Sequence, residues 1–312
     1  MSLSEALDAL SMLRRFRPYL AGAGGLSDMM NALRWSLWYA AKWWPLAREN
    51  PDTLFAKALR LSLIHHGVID ERGELKKALK EPERPRGPYA QEWLALHEAF
   101  DKIAGAVAKG EADRDVLEAL LASMQSQGWY RLWRDGFLEA AGFKAAKRVF
   151  EPKMRGGINA VDIYNAYGLE LYVGYEESRE AAAALLEAVP AVEVDRCSGR
   201  GICVYSASST CEVAEELRGL GVDSVLLFNV LHWFPDPLKE LRCIAAAAPR
   251  ARLYVGQPVV ETMPGFIAIN TALGAYHVFS REDVEGLLEA AGFKRASLLL
   301  RAVPFYAAVW AR

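Results

Sequence analysis

Cysteine is scarce in this chain, long apolar runs are missing, and neither sign of charge dominates. Only four cysteines occur among 312 residues, at positions 197, 203, 211 and 243. None forms C-x-x-C and no histidine stands at ligand spacing from them, so no metal centre is expected. The four read as reduced, buried structural thiols, with a Cys197–Cys203 disulfide left open by their closeness in sequence. No uncharged apolar run reaches the roughly 18 residues that a membrane span needs. The opening stretch MSLSEALDALSMLRRF is an amphipathic helix pattern without the apolar core of a secretory signal, and a cytoplasmic placement is expected. The net charge of −2 excludes an overall polycation made to grip nucleic acid. Asn and Gln are few beside much Ala, Arg and Glu, which fits a thermophilic source. One more shortage sits at 151–157, EPKMRGG: a turn of a type that usually carries three spaced glycines has Lys153, Arg155 and Gly157 instead.

What remains is an ordinary soluble composition and a length that suits two domains. Residues 1–145 show apolar spacing of helical period over Leu3–Tyr19, Met29–Trp44, Leu54–His65, Tyr89–Val107 and Val116–Ala141. Asp52 is placed to cap the third of these and Asp113 or Asp115 the last. Helix end, Gly67, and a turn through Glu71-Arg72-Gly73 outline a winged helix, and EPERPRGP is a loop. Trp35, Trp38, Trp43 and Trp44 form an aromatic band that suits core or dimer-interface packing, or else a wall of an apolar pocket or a membrane contact. His65 and His66 end a helix, where cationic histidine is favoured.

From residue 146 to 312 strands alternate with helices. Strand-like runs fall at Arg148–Phe150, Leu169–Val173, Gly201–Tyr205, Ser224–Asn229, Arg252–Gly256, Ala296–Leu300 and Phe305–Trp310. Helical patterns separate them at Asn159–Tyr167, Ser178–Val189, Cys211–Leu220, Pro237–Ala247 and Arg281–Ala291. This alternation predicts an α/β domain with a doubly wound, seven-stranded, mostly parallel sheet. The link near Pro304 is too short for a parallel crossover, so the last strand is antiparallel.

Three segments carry a resemblance. VDSVLLFNVLHWFPDP, residues 222–237, matches a fourth strand of the form D-x-V-x-x-x-N-V-L-H-x-F-x-D. VFSREDVEGLLEAAGF, residues 278–293, matches a late helix and its Ala-Gly-Phe turn. GYEES, residues 174–178, matches the acidic end of a second strand. In this order they resemble the class I S-adenosylmethionine-dependent methyltransferases. LFAKALRLSLIHHGVIDERGELKKAL resembles the winged-helix segment of the O-methyltransferases that act on small molecules and dimerise through their N-terminal domain.

The resemblance implies S-adenosylmethionine as cofactor and a small apolar or aromatic methyl acceptor. It implies a homodimer formed by residues 1–145, which also cap the substrate side. Glu176, ending the second strand, would hold the ribose hydroxyls. Glu151, ending the first, would place the ligand's amino group or order the turn. Lys153, Arg155, Gly156 and Gly157 form the altered loop, in which one cation meets the ligand carboxylate. Ser206 and Ala207 follow the third strand, where an adenine-binding acid is usual and here missing, and the unusual segment between Val192 and Gly201 suits an extra hairpin. Asn229 ends the fourth strand, and His232 is the candidate general base. Glu261 and His277 lie in loops on the same side of the sheet, where they could complete a site, and each reads first as structural. Two other functions stand beside this one: a degenerate fold that serves as a binding or scaffold module, and a DNA-binding regulator, which the near-neutral N-terminal half disfavours.

Overall fold

In a computed structural model of the chain, the described residues are 14, 16–22, 24–154, 157–177, 182, 192–300 and 304–312. Most of the Leu3–Tyr19 and Ser178–Val189 helical patterns lie outside them. The chain divides into two units. One comprises Met1–Phe137, Pro258–Asp283 and Leu300–Tyr306, the other Leu138–Gln257, Val284–Leu299 and Ala307–Arg312. The segment after residue 257 is shared between the two units, with Pro258–Asp283 in the helical one.

In that unit the helices are α1 (Arg17–Gly22), α2 (Leu26–Ala47), α3 (Leu54–His65), α4 (Pro88–Asp101), α5 (Ala104–Lys109), α6 (Arg114–Ser126) and α7 (Gly128–Ala140), whose last residues pass into the other unit. Two expected long helices are each split. At Gln127 the backbone becomes extended, and Glu92 accepts hydrogen bonds from the N–H groups of Gly128 and Trp129, starting a new helix there. Asp113 caps α6 as expected. Thr53, not Asp52, caps α3, through Ala56 N–H.

Three tryptophans of the band are core, and Trp38 is half-buried beside them. Trp35, Trp43 and Trp44 are buried, and their indole N–H groups donate to Glu83 O, Asp101 Oδ1 and Gly73 O. Such paired polar edges let large aromatics bury without loss of hydrogen bonds. The turn at Gly67 and Asp70–Glu74 lies where the sequence placed it. Its two strands amount to a single antiparallel bridge, Ile69 to Leu75. His66 is not the cation expected: burial first, and His65 next, lower its pKa to about 4.

A further helix in this unit, Pro264–Ala272, is buried over most of its surface. It therefore carries no amphipathic period by which the sequence betrays it. It packs on α2 and α3. Its first N–H groups, of Gly265 and Phe266, donate to Ser36 Oγ. Ser36 in turn contacts Nε2 of His97, whose Nδ1 meets Trp93 O at 2.8 Å. Gly265 has to be glycine, since a Cβ there falls 2.6 Å from Ser36 O.

The second unit is built on strands β1 (Arg148–Glu151), β2 (Leu171–Glu176), β3 (Val192–Val194), β4 (Gly201–Ser206), β5 (Ser224–Phe228), β6 (Arg252–Gln257), β7 (Lys294–Leu300) and β8 (Tyr306–Ala311). They form one eight-stranded sheet in the order β3-β4-β2-β1-β5-β6-β8-β7. From β3 to β6 the pairings are parallel, and the far edge is antiparallel. β2 and β5 are buried throughout, as central parallel strands must be.

One strand exceeds the expected seven. β3 lies parallel to β4 although only residues 195–200 connect them, far short of the dozen or so that a parallel crossover usually takes. Asp195 makes the tight return with a φ of 54°. A Cys197–Cys203 disulfide closes it, with Cα atoms 5.5 Å apart. A second disulfide joins Cys211 to Cys243. The reading of four reduced thiols is overturned, because folding brings each into bonding distance of another.

Candidate functional site

Chain order reverses between β1 and β5. From β1 the sheet grows through β2 and β4 to one side, and through β5 and β6 to the other. In open α/β sheets the crevice at the carboxyl ends of such neighbouring strands is where ligands bind. The residues named from sequence gather on those ends. Glu151 closes β1, Glu176 closes β2, Ser206 closes β4 and Asn229 follows β5.

Glu151 is buried. Its Oε1 accepts from Asn159 Nδ2 at 3.1 Å and its Oε2 from the Tyr172 hydroxyl at 2.7 Å. This carboxylate is anchored to the start of the next helix (α8, Ile158–Tyr167) and to β2. Glu176 is 7% exposed at the tip of β2. Asn229 holds a left-handed φ of 53°. Its side-chain oxygen is buried without a hydrogen-bond partner among the described residues. Such an orphan acceptor costs about 1–3 kcal/mol, and strained backbone with unpaired polar atoms gathers at binding sites.

The altered loop has a definite course. Lys153 keeps the left-handed conformation, with φ 54°, that a glycine would adopt without strain. Its side chain is only 6% exposed and pairs with Glu177, and its ammonium lies 6.0 Å from the Phe234 ring centre. Met154 folds back on β2, with its N–H on Tyr175 O. A Cβ at Gly174 would sit 2.3 Å from Met154 Cγ, so the glycine of β2 makes room for this loop. Gly157 caps α8 with φ 67°. Arg155 and Gly156 lie outside the described residues.

Ser206 and Ala207 are less open than the sequence implied. Asp195, from the β3–β4 return, accepts from Ser206 N–H at 2.7 Å and Ser206 Oγ at 3.1 Å. A carboxylate thus stands at the β4 tip after all, supplied from the return that follows β3. Ala207 is buried, its N–H on Glu176 O. Next along the chain, Glu240 is buried and accepts from the Tyr175 hydroxyl and from Thr210 N–H. Burial of Tyr175, then the Glu240 charge, pushes the phenol far above its ordinary pKa.

The motif at 222–237 works mainly as structure. Asp223 accepts from Lys147 N–H and Arg148 N–H, fixing the start of β1 against β5. Asp236 caps α10 (Pro237–Ala247; α9 is Ala214–Leu220) through Lys239 N–H. His232 follows β5 in a short helical turn, 3% exposed. Its Nδ1 lies 2.6 Å from Gln257 Nε2 at the end of β6. Gln257 was not singled out from sequence, where nothing marks a strand-end glutamine.

Glu261 accepts from Arg281 N–H and His277 stacks on Phe279. Both belong to the helical unit.

No protein-family model matches the chain, and no curated protein does. Solved structures do. One is an O-methyltransferase family 2 protein from Planctomyces limnophilus in complex with apigenin, with 16% identity and a TM-score of 0.50 over 91% of this chain and 94% of that one. Another is the trans-methyltransferase CalH in complex with SAH, with 14% identity and a TM-score of 0.56 over 91% of this chain and 90% of that one.

The fold is that of the class I O-methyltransferases. At such identities the likeness speaks for architecture alone. On that architecture, Glu151 and Asn229 stand at the ends of the two strands that meet at the switch point, and Glu176 ends the neighbouring β2. β3 is one strand beyond the seven that the sequence led us to expect.

Proposed function

We propose that the chain is an S-adenosylmethionine-dependent methyltransferase that methylates an oxygen of a small apolar or aromatic molecule. The observation that carries this reading is the set of buried oxygen acceptors on three adjacent strand ends, Glu176, Glu151 and Asn229. Such a set suits a ligand with ribose hydroxyls and an ammonium group, and Lys153 suits its carboxylate. These groups therefore fit the cofactor. Glu176 would hold the ribose, and Glu151 would order the loop and the amino group. Ser206, with Asp195 behind it, and Ala207 would line the adenine. Gly157, with Arg155 and Gly156 before it, would complete the loop. When bound, the cofactor supplies a methyl group so activated that proximity is most of what its transfer requires. His232 is the residue that addresses the acceptor.

A second reading has its own observation. Lys153 is buried and already paired with Glu177, which suits a chain that has filled its crevice and serves as a binding module. Isothermal calorimetry with S-adenosylmethionine and S-adenosylhomocysteine separates the two. Binding by the natural chain that falls at least tenfold in Glu176→Ala supports the enzyme. No binding by the natural chain, restored in Lys153→Gly, supports the module.

The remaining proposals are coarser. Residues 1–145 are proposed as a winged-helix-like domain that caps the substrate side and pairs two subunits. No nucleic-acid partner is proposed. A thermophilic, cytoplasmic setting is proposed, in which two disulfides stand beside a low content of Asn and Gln.

A further inference from the structure

Gln257, the last residue of β6, touches two groups just beyond the end of β5. Its Oε1 accepts from the backbone N–H of Leu231 at 3.2 Å, and its Nε2 lies 2.6 Å from Nδ1 of His232. All three residues belong to one unit. A main-chain N–H can only donate, so the Leu231 contact decides which end of the amide is the oxygen. The other end is an NH2 group, which also only donates. Nδ1 of His232 is therefore an acceptor, and the neutral imidazole carries its proton on Nε2. Exchanging the two ends of the amide would set NH2 against the N–H of Leu231 in a buried place, leaving donors unpaired.

We propose that Gln257 is a positioning residue that holds His232 as an Nε2–H donor, and that the methyl acceptor is accordingly an oxyanion, a carboxylate or an acidic phenol, rather than a neutral alcohol. The tautomer follows from the contacts around Gln257. The acceptor class rests in addition on the methyltransferase reading. A histidine acting as general base must offer a bare nitrogen to the substrate proton. Here the bare nitrogen is engaged by Gln257, and a ligand that reaches the ring meets Nε2–H. That proton suits an anionic oxygen and orients it. A carboxylate or phenolate has no proton to lose. Its oxygen gains the methyl carbon, the carbon–sulfur bond breaks with its electron pair staying on sulfur, and the product is a neutral ester or ether. The general-base role expected for His232 gives way to that of a donor.

The test starts with the full, ligand-free chain labelled with 15N-histidine. Two-bond proton–nitrogen correlation spectra report the tautomer, with His232 assigned by comparison with His232→Gln. We expect an Nε2 of pyrrole type and an Nδ1 of pyridine type at neutral pH. The reverse pattern in the natural chain overturns the proposal. In Gln257→Glu the carboxylate accepts from Nδ1–H, so the pattern should invert and the histidine pKa should rise; a merely structural glutamine would give no inversion. For the acceptor class, calorimetry compares benzoate with benzyl alcohol. Benzoate binding at least tenfold tighter supports the oxyanion, while equal, reversed or absent benzoate binding overturns it. Failure of S-adenosylmethionine to bind would remove the methyltransferase reading and leave the tautomer result standing.

Discussion

Single residues here carry signals that their neighbours in sequence do not explain. His97 is wholly buried, and burial lowers its pKa to about 4, against a smaller opposing effect of the Trp93 carbonyl. Folded, it stays unprotonated down to about pH 4; unfolded, it takes a proton below about pH 6.5. Between these values the unfolded chain binds more protons, so stability is complete above about pH 6.5 and falls as the solution is acidified. The loss by pH 4 is expected to reach up to ~3 kcal/mol for this group. His66 shifts in the same direction. Urea melts at pH 7 and pH 4.5 check this, and a His97→Gln variant should flatten the dependence. Lys153 is the other such residue. A left-handed, non-glycine residue costs about 1–2 kcal/mol, and Lys153 holds that conformation at a turn where glycine would carry no such strain.

Among the elements, the helix Pro264–Ala272 shows most clearly how position is fixed. Its first N–H groups would be orphans without Ser36. We expect Ser36→Ala to cost about 1–3 kcal/mol, because two buried donors and one imidazole nitrogen lose their partner at once. Thermal unfolding would measure it, and a change within about 0.5 kcal/mol would refute this account. The β3–β4 return is the matching case in the sheet unit. Asp195 and the Cys197–Cys203 bond hold a parallel edge strand that its short connection would not otherwise allow.

For the whole chain the disulfides make a global statement. All the cysteines are paired. Cys211–Cys243 closes a loop of 32 positions, for which chain entropy gives about 3–4 kcal/mol. Thiol labelling of denatured, unreduced protein should therefore find no free cysteine. Replacing both Cys211 and Cys243 by Ala should lower the melting temperature by several degrees, at roughly 2–4 °C per kcal/mol for a domain of this size. Substantial labelling of the native preparation would count against both bridges.

The sequence alone determined the alternation of strands and helices, the acids at the ends of β1 and β2, and the Asn229–His232 segment after β5. These are local patterns: apolar periodicity and strand length fix where an element stops, and so which side chain stands at its tip. Tertiary structure decided the rest. It chose the cysteine partners, brought Asp195 to Ser206, seated Ser36 under the helix Pro264–Ala272, and set Gln257 against His232. Each of these joins residues through packing or through the sheet's order of strands. No one-dimensional period encodes such a meeting, because it exists only once distant segments share a neighbour.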